Sequence, residues 1–364
     1  MKLGVVGLPN VGKSTLFNAI TKAGAESANY PFCTIEPNVG VVDVLDERLN
    51  VLADMYKTNK IIPAQIEFVD IAGLVKGASE GAGLGNKFLS HIKEVDAIVH
   101  VVRCFKNDKI IHVEGSVDPL RDIETINLEL ILADIDSATK RIDKLKKVVN
   151  GGQADIQYQK EYELLNKILD LLKNQKPARL LQVDAEEKKI VDSFFLITTK
   201  PIIYVANTAD EVDDFQQQNI EKIREIAKIE NAEVISLCAK TEEELVEMPA
   251  EDREMFKAEL GIDASGLDKL IVASYHLLGL ISYITAGEKE VRAWTIKKGT
   301  LAPQAAGKIH TDFERGFIRA DVVKYDDLVS LGDYNACKEK GKIISAGKDY
   351  VVQDGDIIVF KFNV

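Results

Sequence analysis

The chain has 364 residues, enough for two or three domains at about 150 residues each, and its 46% hydrophobic and 29% charged residues exclude a disordered or fibrous protein. No apolar run approaches the roughly 18–20 residues a bilayer span needs, and Met1-Lys2-Leu3-Gly4 lacks a signal-peptide pattern, so a cytoplasmic protein with no membrane partner is expected. The net charge is −12, and residues 281–364 hold 13 Lys/Arg against 12 Asp/Glu, so the acidity lies in the first 280 residues; sequence-specific DNA binding is not expected, though a local basic face remains open.

Leu3-Gly4-Val5-Val6 opens the chain as a buried strand. It runs into Gly7-Leu8-Pro9-Asn10-Val11-Gly12-Lys13-Ser14, which fits G-x-x-x-x-G-K-[ST], and Thr15-Leu16-Phe17-Asn18-Ala19-Ile20 leads out as an amphipathic helix. In that context the glycines let the N–H groups of Asn10, Val11, Gly12, Lys13, Ser14 and Thr15 converge on phosphates at a helix N-terminus. Lys13 is the binding and catalytic ammonium for the β- and γ-phosphates, and the Ser14 hydroxyl is a ligand for Mg²⁺.

The loop Phe32-Cys33-Thr34 offers Thr34 as a second hydroxyl ligand for Mg²⁺, with Cys33 beside it as a candidate redox-sensitive thiol or a small apolar filler. A second strand, Ile66–Val69, ends at Asp70-Ile71-Ala72-Gly73, placing Asp70 as a magnesium anchor and the Gly73 N–H at the γ-phosphate. Leu74 follows where Ras-like hydrolases carry a water-orienting glutamine. It cannot position water, so hydrolysis should be slow. Gly77, Gly81, Gly83 and Gly85 then suggest a mobile second switch.

The third strand, Ala97–Val102, is followed by Lys109-Ile110-Ile111-His112-Val113-Glu114-Gly115. His112 is the candidate to align or deprotonate the attacking water, an ordinary loop histidine being the alternative. His91, His100, His276 and His310 read as packing or surface residues. Asn10 has a second candidate use, coordinating K⁺ through its amide oxygen. A hydrogen bond that braces the loop is the competing role.

Leu128, Ile131, Ile135, Ala138, Ile142, Leu145 and Val149 step by three and four, and Tyr158, Tyr162, Leu165, Leu169 and Leu172 resume that spacing after Asn150-Gly151-Gly152. Two seams joined by a break predict an antiparallel helical hairpin, a projecting arm over 121–197. Lys140, Arg141, Lys144, Lys146 and Lys147 form a basic cluster near its tip, either a contact surface or a solvated face.

Strand Ile202–Val205 ends in Ala206-Asn207-Thr208-Ala209-Asp210, a degraded form of the Asn-Lys-x-Asp motif that reads guanine; Asn207 and the backbone near Thr208 are expected to face the purine. Strand Val234–Leu237 follows. From about 281 the pieces Val291–Ile296, Gly316–Arg319, Asp349–Val352 and Ile357–Phe360 predict a small, mostly β module. The scattered Cys33, Cys104, Cys238 and Cys337 give no zinc pattern.

The runs Leu8–Phe17, Asn29–Asn38, Val69–Val75 and Ile309–Ala320 resemble the YchF/Obg-like ATPase family over essentially the whole chain. The resemblance implies an α/β fold in three parts: a Ras-like P-loop domain (1–120 and 198–280), the inserted coiled-coil arm (121–197) and a C-terminal TGS domain of β-grasp type (281–364). It also implies ATP over GTP, a catalytic role for His112 and the ribosome, including its large subunit, as partner. Family members usually carry Glu where Asp210 stands. A charge-assisted hydrogen bond is worth about 1.5–3 kcal/mol, so that one side chain keeps a GTPase open as the alternative to an ATPase. A ribosome-binding scaffold with incidental turnover is the other alternative.

Overall fold

The computed structural model describes residues 1–27, 38–71, 83–150, 156–259 and 264–363. Two compact units divide the chain, one of Met1–Gly40 with Glu67–Lys269, the other of Val41–Ile66 with Leu270–Val364. The expected boundaries differ here. Residues 41–66 belong with the C-terminal unit rather than with the phosphate-binding one, and the arm helices cluster with the first unit rather than as a separate body. The reason for the first difference is pairing: a short strand within 41–66 adds to the sheet of the C-terminal unit.

In chain order the elements begin with β1 (Lys2–Val6), α1 (Lys13–Ser27), β2 (Val39–Asp43), α2 (Glu47–Tyr56), β3 (Ile61–Ile62), β4 (Gln65–Asp70), α3 (Gly83–Glu94) and β5 (Ala97–Arg103). The arm follows as α4 (Pro119–Asn150), α5 (Ile156–Lys173) and α6 (Ala185–Asp192). Then come β6 (Ile202–Asn207), α7 (Asp214–Glu230), β7 (Glu233–Leu237), α8 (Ala239–Glu247), α9 (Ala250–Glu259) and α10 (Gly266–Leu277). The chain closes with β8 (Leu280–Ala286), β9 (Val291–Lys297), α11 (Ala302–Ile309), α12 (Thr311–Arg315), β10 (Phe317–Val323), α13 (Tyr325–Leu331), α14 (Tyr334–Glu339), β11 (Ile344–Ala346) and β12 (Ile357–Phe362).

The first sheet has the order β2-β4-β1-β5-β6-β7, and β1, β4, β5, β6 and β7 pair in parallel. The five apolar runs read as strands occupy those five positions. β5 is buried at all seven residues, as a central parallel strand covered on both faces must be. Parallel pairing brings the C-terminal ends of β1, β4, β5 and β6 to one edge, where such sheets bind ligands. β2, with alternating burial, is a strand that the apolar runs did not reveal.

α4 has 32 residues, roughly 48 Å at 1.5 Å per residue. It packs on α5 through Ile131, Ala138, Ile142 and Leu145 against Leu164, Leu165, Ile168, Leu169 and Leu172. Leu128, placed in the seam from its spacing, is instead exposed, while Ile123, Ile126 and Leu130 are buried. Buried Asp134 fixes the returning chain: its carboxylate accepts from the N–H of Ile197 (2.9 Å), the N–H of Thr198 (2.7 Å) and the Thr198 hydroxyl (2.6 Å).

In the second unit the sheet order is β11-β10-β12-β8-β9-β3, with α11 packed on it around Tyr283, Ile296, Ala305, Phe317 and Phe360. Asp349–Val352, read as a strand, instead makes one isolated bridge, Val351 to Leu301, outside the strands of the sheet. Gly316 sits where a Cβ would strike the Asn363 backbone, so this one glycine of the tail motif is required by the packing of the unit.

Asp134→Ala strands two buried N–H groups and a hydroxyl, and an unpaired buried donor costs about 1–3 kcal/mol. Urea unfolding should therefore show a loss of about 2–4 kcal/mol; a loss below about 0.5 kcal/mol would mean this carboxylate does not hold the base of the arm.

Candidate active site

The site is built where β1 hands over to α1. Asn10 (φ 63°) and Gly12 (φ 94°) both adopt left-handed backbone conformations, turning the chain so that α1 starts at Lys13. Gly12 is required twice over. Its φ suits glycine, and a Cβ there would overlap the Asn207 amide nitrogen. The first turn of α1 carries no acidic residue, so its unpartnered N–H groups and positive dipole end stay available for an anion.

The Lys13 ammonium lies 2.5 Å from Asp70 Oδ1 at the end of β4, with the lysine almost buried and the aspartate about a quarter exposed. Sequence spacing and strand order predicted both residues, and the structure brings them together. The Ser14 hydroxyl is exposed at the same helix start. A hydroxyl and a carboxylate are hard oxygen donors, a set that fits Mg²⁺ with retained waters rather than zinc. Thr34, Gly73, Leu74, Cys33, Gly77 and Gly81 lie outside the described residues, and Gly83 and Gly85 fall in the first turns of α3.

Asn207 ends β6 as expected, but its amide braces the loops around it. Its Nδ2 donates to the Val11 carbonyl (2.8 Å) and its Oδ1 accepts from the Ala239 N–H (3.0 Å). These two bonds hold the phosphate loop to the start of α8 and use one of the two Nδ2 hydrogens. Thr208 is buried, with its N–H on the Leu237 carbonyl. Exposed Asp210 accepts from the Thr241 hydroxyl, which, with Cys238 and Lys240, holds its carboxyl below the usual range. The segment Cys238–Thr241 was missed from the sequence. Its signal was the strand-to-helix turn between β7 and α8, the same grammar as β1 into α1.

The loop after β5 is tied to the phosphate loop. Asn10 Nδ2 donates to the Ile111 carbonyl (3.0 Å), the bracing bond weighed for it above. Arg103, only 2% exposed, was also missed; it donates to the carbonyls of Phe105 (3.0 Å), Asn107 (3.3 Å), Ile110 (3.1 Å) and Asn10 (3.5 Å) and stacks on Phe105. Burial pulls its pKa down while the nearby Asp122 opposes that shift.

His112 is 6% exposed. Its Nδ1 accepts from the Glu114 N–H (3.2 Å), which leaves Nε2 to donate to Asp122 Oδ2 at 2.8 Å. Burial raises the Asp122 pKa, and His112 and Arg121 counter it. His91, His276 and His310 are exposed, and buried His100 packs on Tyr204.

A turn ending in Gly-Lys-Ser at a helix start, facing a strand-end aspartate, defines a P-loop nucleoside-triphosphate-binding protein. Residues 2–208 match the family model described as a 50S ribosome-binding GTPase, and residues 280–363 match YchF-GTPase_C, described as a protein of unknown function. The chain is 59% identical over 363 residues to the Ribosome-binding ATPase YchF of Bacillus subtilis, covering 99% of each, and 52% identical over 364 residues to that of Escherichia coli O157:H7, covering 100% of this chain and 99% of the relative. A solved Schizosaccharomyces pombe YchF GTPase superposes with a TM-score of 0.88 at 42% identity, covering 99% of this chain and 97% of that one. The chain belongs to the YchF family.

Gly12→Ala should weaken Mg–ATP binding by at least about 100-fold, or roughly 2.7 kcal/mol, without unfolding the first sheet. Calorimetric affinity within a few-fold of the parent protein would show that this turn does not form the phosphate cradle.

Proposed function

We propose that this chain is a slow, magnesium-dependent ATPase that acts as a switch with the ribosome in the cytoplasm. The observation that carries this reading is the Lys13–Asp70 pair at the mouth of an acid-free helix start, in a chain whose full-length relatives are named ribosome-binding ATPases. The N–H groups of residues 10–15 and Lys13 grip the triphosphate. Ser14, Asp70 and Thr34 would hold Mg²⁺, which would supply positive charge to neutralise the phosphates. The Lys13 ammonium would exchange its Asp70 contact for the β- and γ-phosphates, and the Gly73 N–H would cap the γ-phosphate.

With leucine at position 74, water must be aligned by another group, and His112 is the imidazole whose loop is bonded directly to the phosphate loop. The Asn10 amide oxygen is the candidate ligand for K⁺ beside the phosphates. Asn207 orders the base pocket indirectly, and the backbone at Thr208 faces the purine. Loss of the guanine-reading lysine at Thr208 supports ATP, while Asp210 favours GTP as the second reading. ATP should bind more tightly than GTP, and His112→Ala should abolish turnover with ATP affinity within a few-fold. Tighter GTP binding would reverse the choice of base, and unchanged turnover would remove His112 from the mechanism.

The large ribosomal subunit is the proposed partner, with the arm as a contact surface. Arg141 is withdrawn from the basic cluster because it donates to the Ser193 carbonyl, pairs with Glu161 and stacks on Phe194. Lys144, Lys146 and Lys147 remain exposed on α4. Reversing these three to Glu should cut co-sedimentation with ribosomes by at least about five-fold, with the deficit shrinking at high salt. Unaltered sedimentation would make the patch a solvated face. Ribosomes that bind without changing turnover would favour the scaffold reading.

A further inference from the structure

His112 has no nitrogen to offer water in this conformation. Both ring nitrogens are engaged, one by the Glu114 N–H and the other by the Asp122 carboxylate, and the His112 and Asp122 side chains are 3% and 2% exposed. Its flanking residues show the reverse of ordinary burial. Ile111 is 77% exposed and Val113 50% exposed, while the polar imidazole between them points inward. The loop turns at Gly115 (φ 75°), where a Cβ would meet nothing within 4 Å, so only the left-handed backbone there favours glycine.

The bonds of the loop run two ways. Toward the phosphate site, Asn10 holds the Ile111 carbonyl. In the other direction, Asp122 lies in the first turn of α4, the helix that continues for the whole length of the arm. Its second oxygen accepts from Arg121 Nη2 at 3.3 Å, so the carboxylate is fixed to that turn. Any force that tilts or slides α4 displaces the acceptor on which the imidazole is held.

We propose that Asp122 is a positioning residue that latches His112 inward, and that displacement of the arm helix α4 releases the imidazole toward the phosphate site. This rests on the reading of His112 as the hydrolytic group. The latch restrains turnover, and a partner that grips the arm relieves the restraint. No part of the link requires contact between that partner and the nucleotide.

The test is Asp122→Asn, which keeps the side-chain shape and removes the charge. Diethyl pyrocarbonate labelling of the full-length protein, read peptide by peptide, reports the exposure of His112 independently of turnover. Buried His100 serves as the internal control for unfolding, and exposed His91, His276 and His310 as references for free reaction. In the parent protein His112 should label as slowly as His100. In the variant it should label at least about ten-fold faster with His100 unchanged, and basal kcat should rise several-fold with KM for ATP within two-fold. Added ribosomes should speed His112 labelling in the parent protein and add little in the variant. His112 labelling as slow in the variant as in the parent, or a fall in kcat, would overturn the latch. Turnover that survives His112→Ala while labelling still accelerates would remove the hydrolytic role and leave the latch standing.

Discussion

One buried amide sets the geometry on which the chemistry depends. Asn207 is 3% exposed and joins the Val11 carbonyl to the Ala239 N–H, so the phosphate loop, the end of β6 and the start of α8 hold a common register. Neither contact reads a ligand. A buried amide without partners costs more than its hydrogen bonds contribute, so the three segments stay together or separate together. Gly12 is the counterpart of this constraint, because the amide occupies the space a side chain at position 12 would need.

The Lys13–Asp70 pair follows from the same arrangement. β4 and β1 pair in parallel with Asp70 opposite Val5, so the aspartate arrives at the edge from which the phosphate loop departs. A carboxylate there attracts the lysine. Arg103 completes the edge from β5. Its guanidinium is withdrawn from water, and four carbonyl acceptors offset that loss while fixing the loop that carries His112 to the turn that carries Asn10.

Much of this was legible in the sequence, and the limits are physical. Strands β1, β5 and β6 announced themselves because central parallel strands covered on both faces need nearly unbroken apolar runs, and β4 and β7 through apolar runs interrupted only by Glu67 and Ser236. β2 and β3 did not, since one alternates in burial and the other has two residues. β8 was hidden because apolar residues run from α10 into it with only Gly279 (φ 64°) between them. The seam of α4 and α5 was readable, but Leu128 fell outside it because the base of α4 buries Ile123, Ile126 and Leu130 instead, and spacing cannot say where a helix changes partners. In the site, Lys13 and Asp70 followed from spacing and strand order. The brace of Asn207, the clamp of Arg103 and the acceptor role of Asp122 did not, because each depends on side chains meeting across a fold. Asp122 in particular looks like any acidic residue in a first helical turn.

The His112 loop pairs an inward hydrogen bond with outward-facing apolar side chains. A hydrogen bond to a charged group contributes about 1.5–3 kcal/mol, the size of the inward bond from His112 to Asp122. Burying an isoleucine side chain contributes about 1.5–3 kcal/mol, and Ile111 and Val113 forgo part of that by facing solvent. For any segment with two conformations, the ratio of their populations changes ten-fold for each 1.4 kcal/mol of bias. Such a bias is within reach of a small displacement of Asp122, because charge-assisted hydrogen bonds weaken steeply as distance and angle depart from ideal. The turn at Gly12 is fixed by the Asn207 brace, whereas the His112 loop is tied to that turn through Asn10 and to α4 through Asp122.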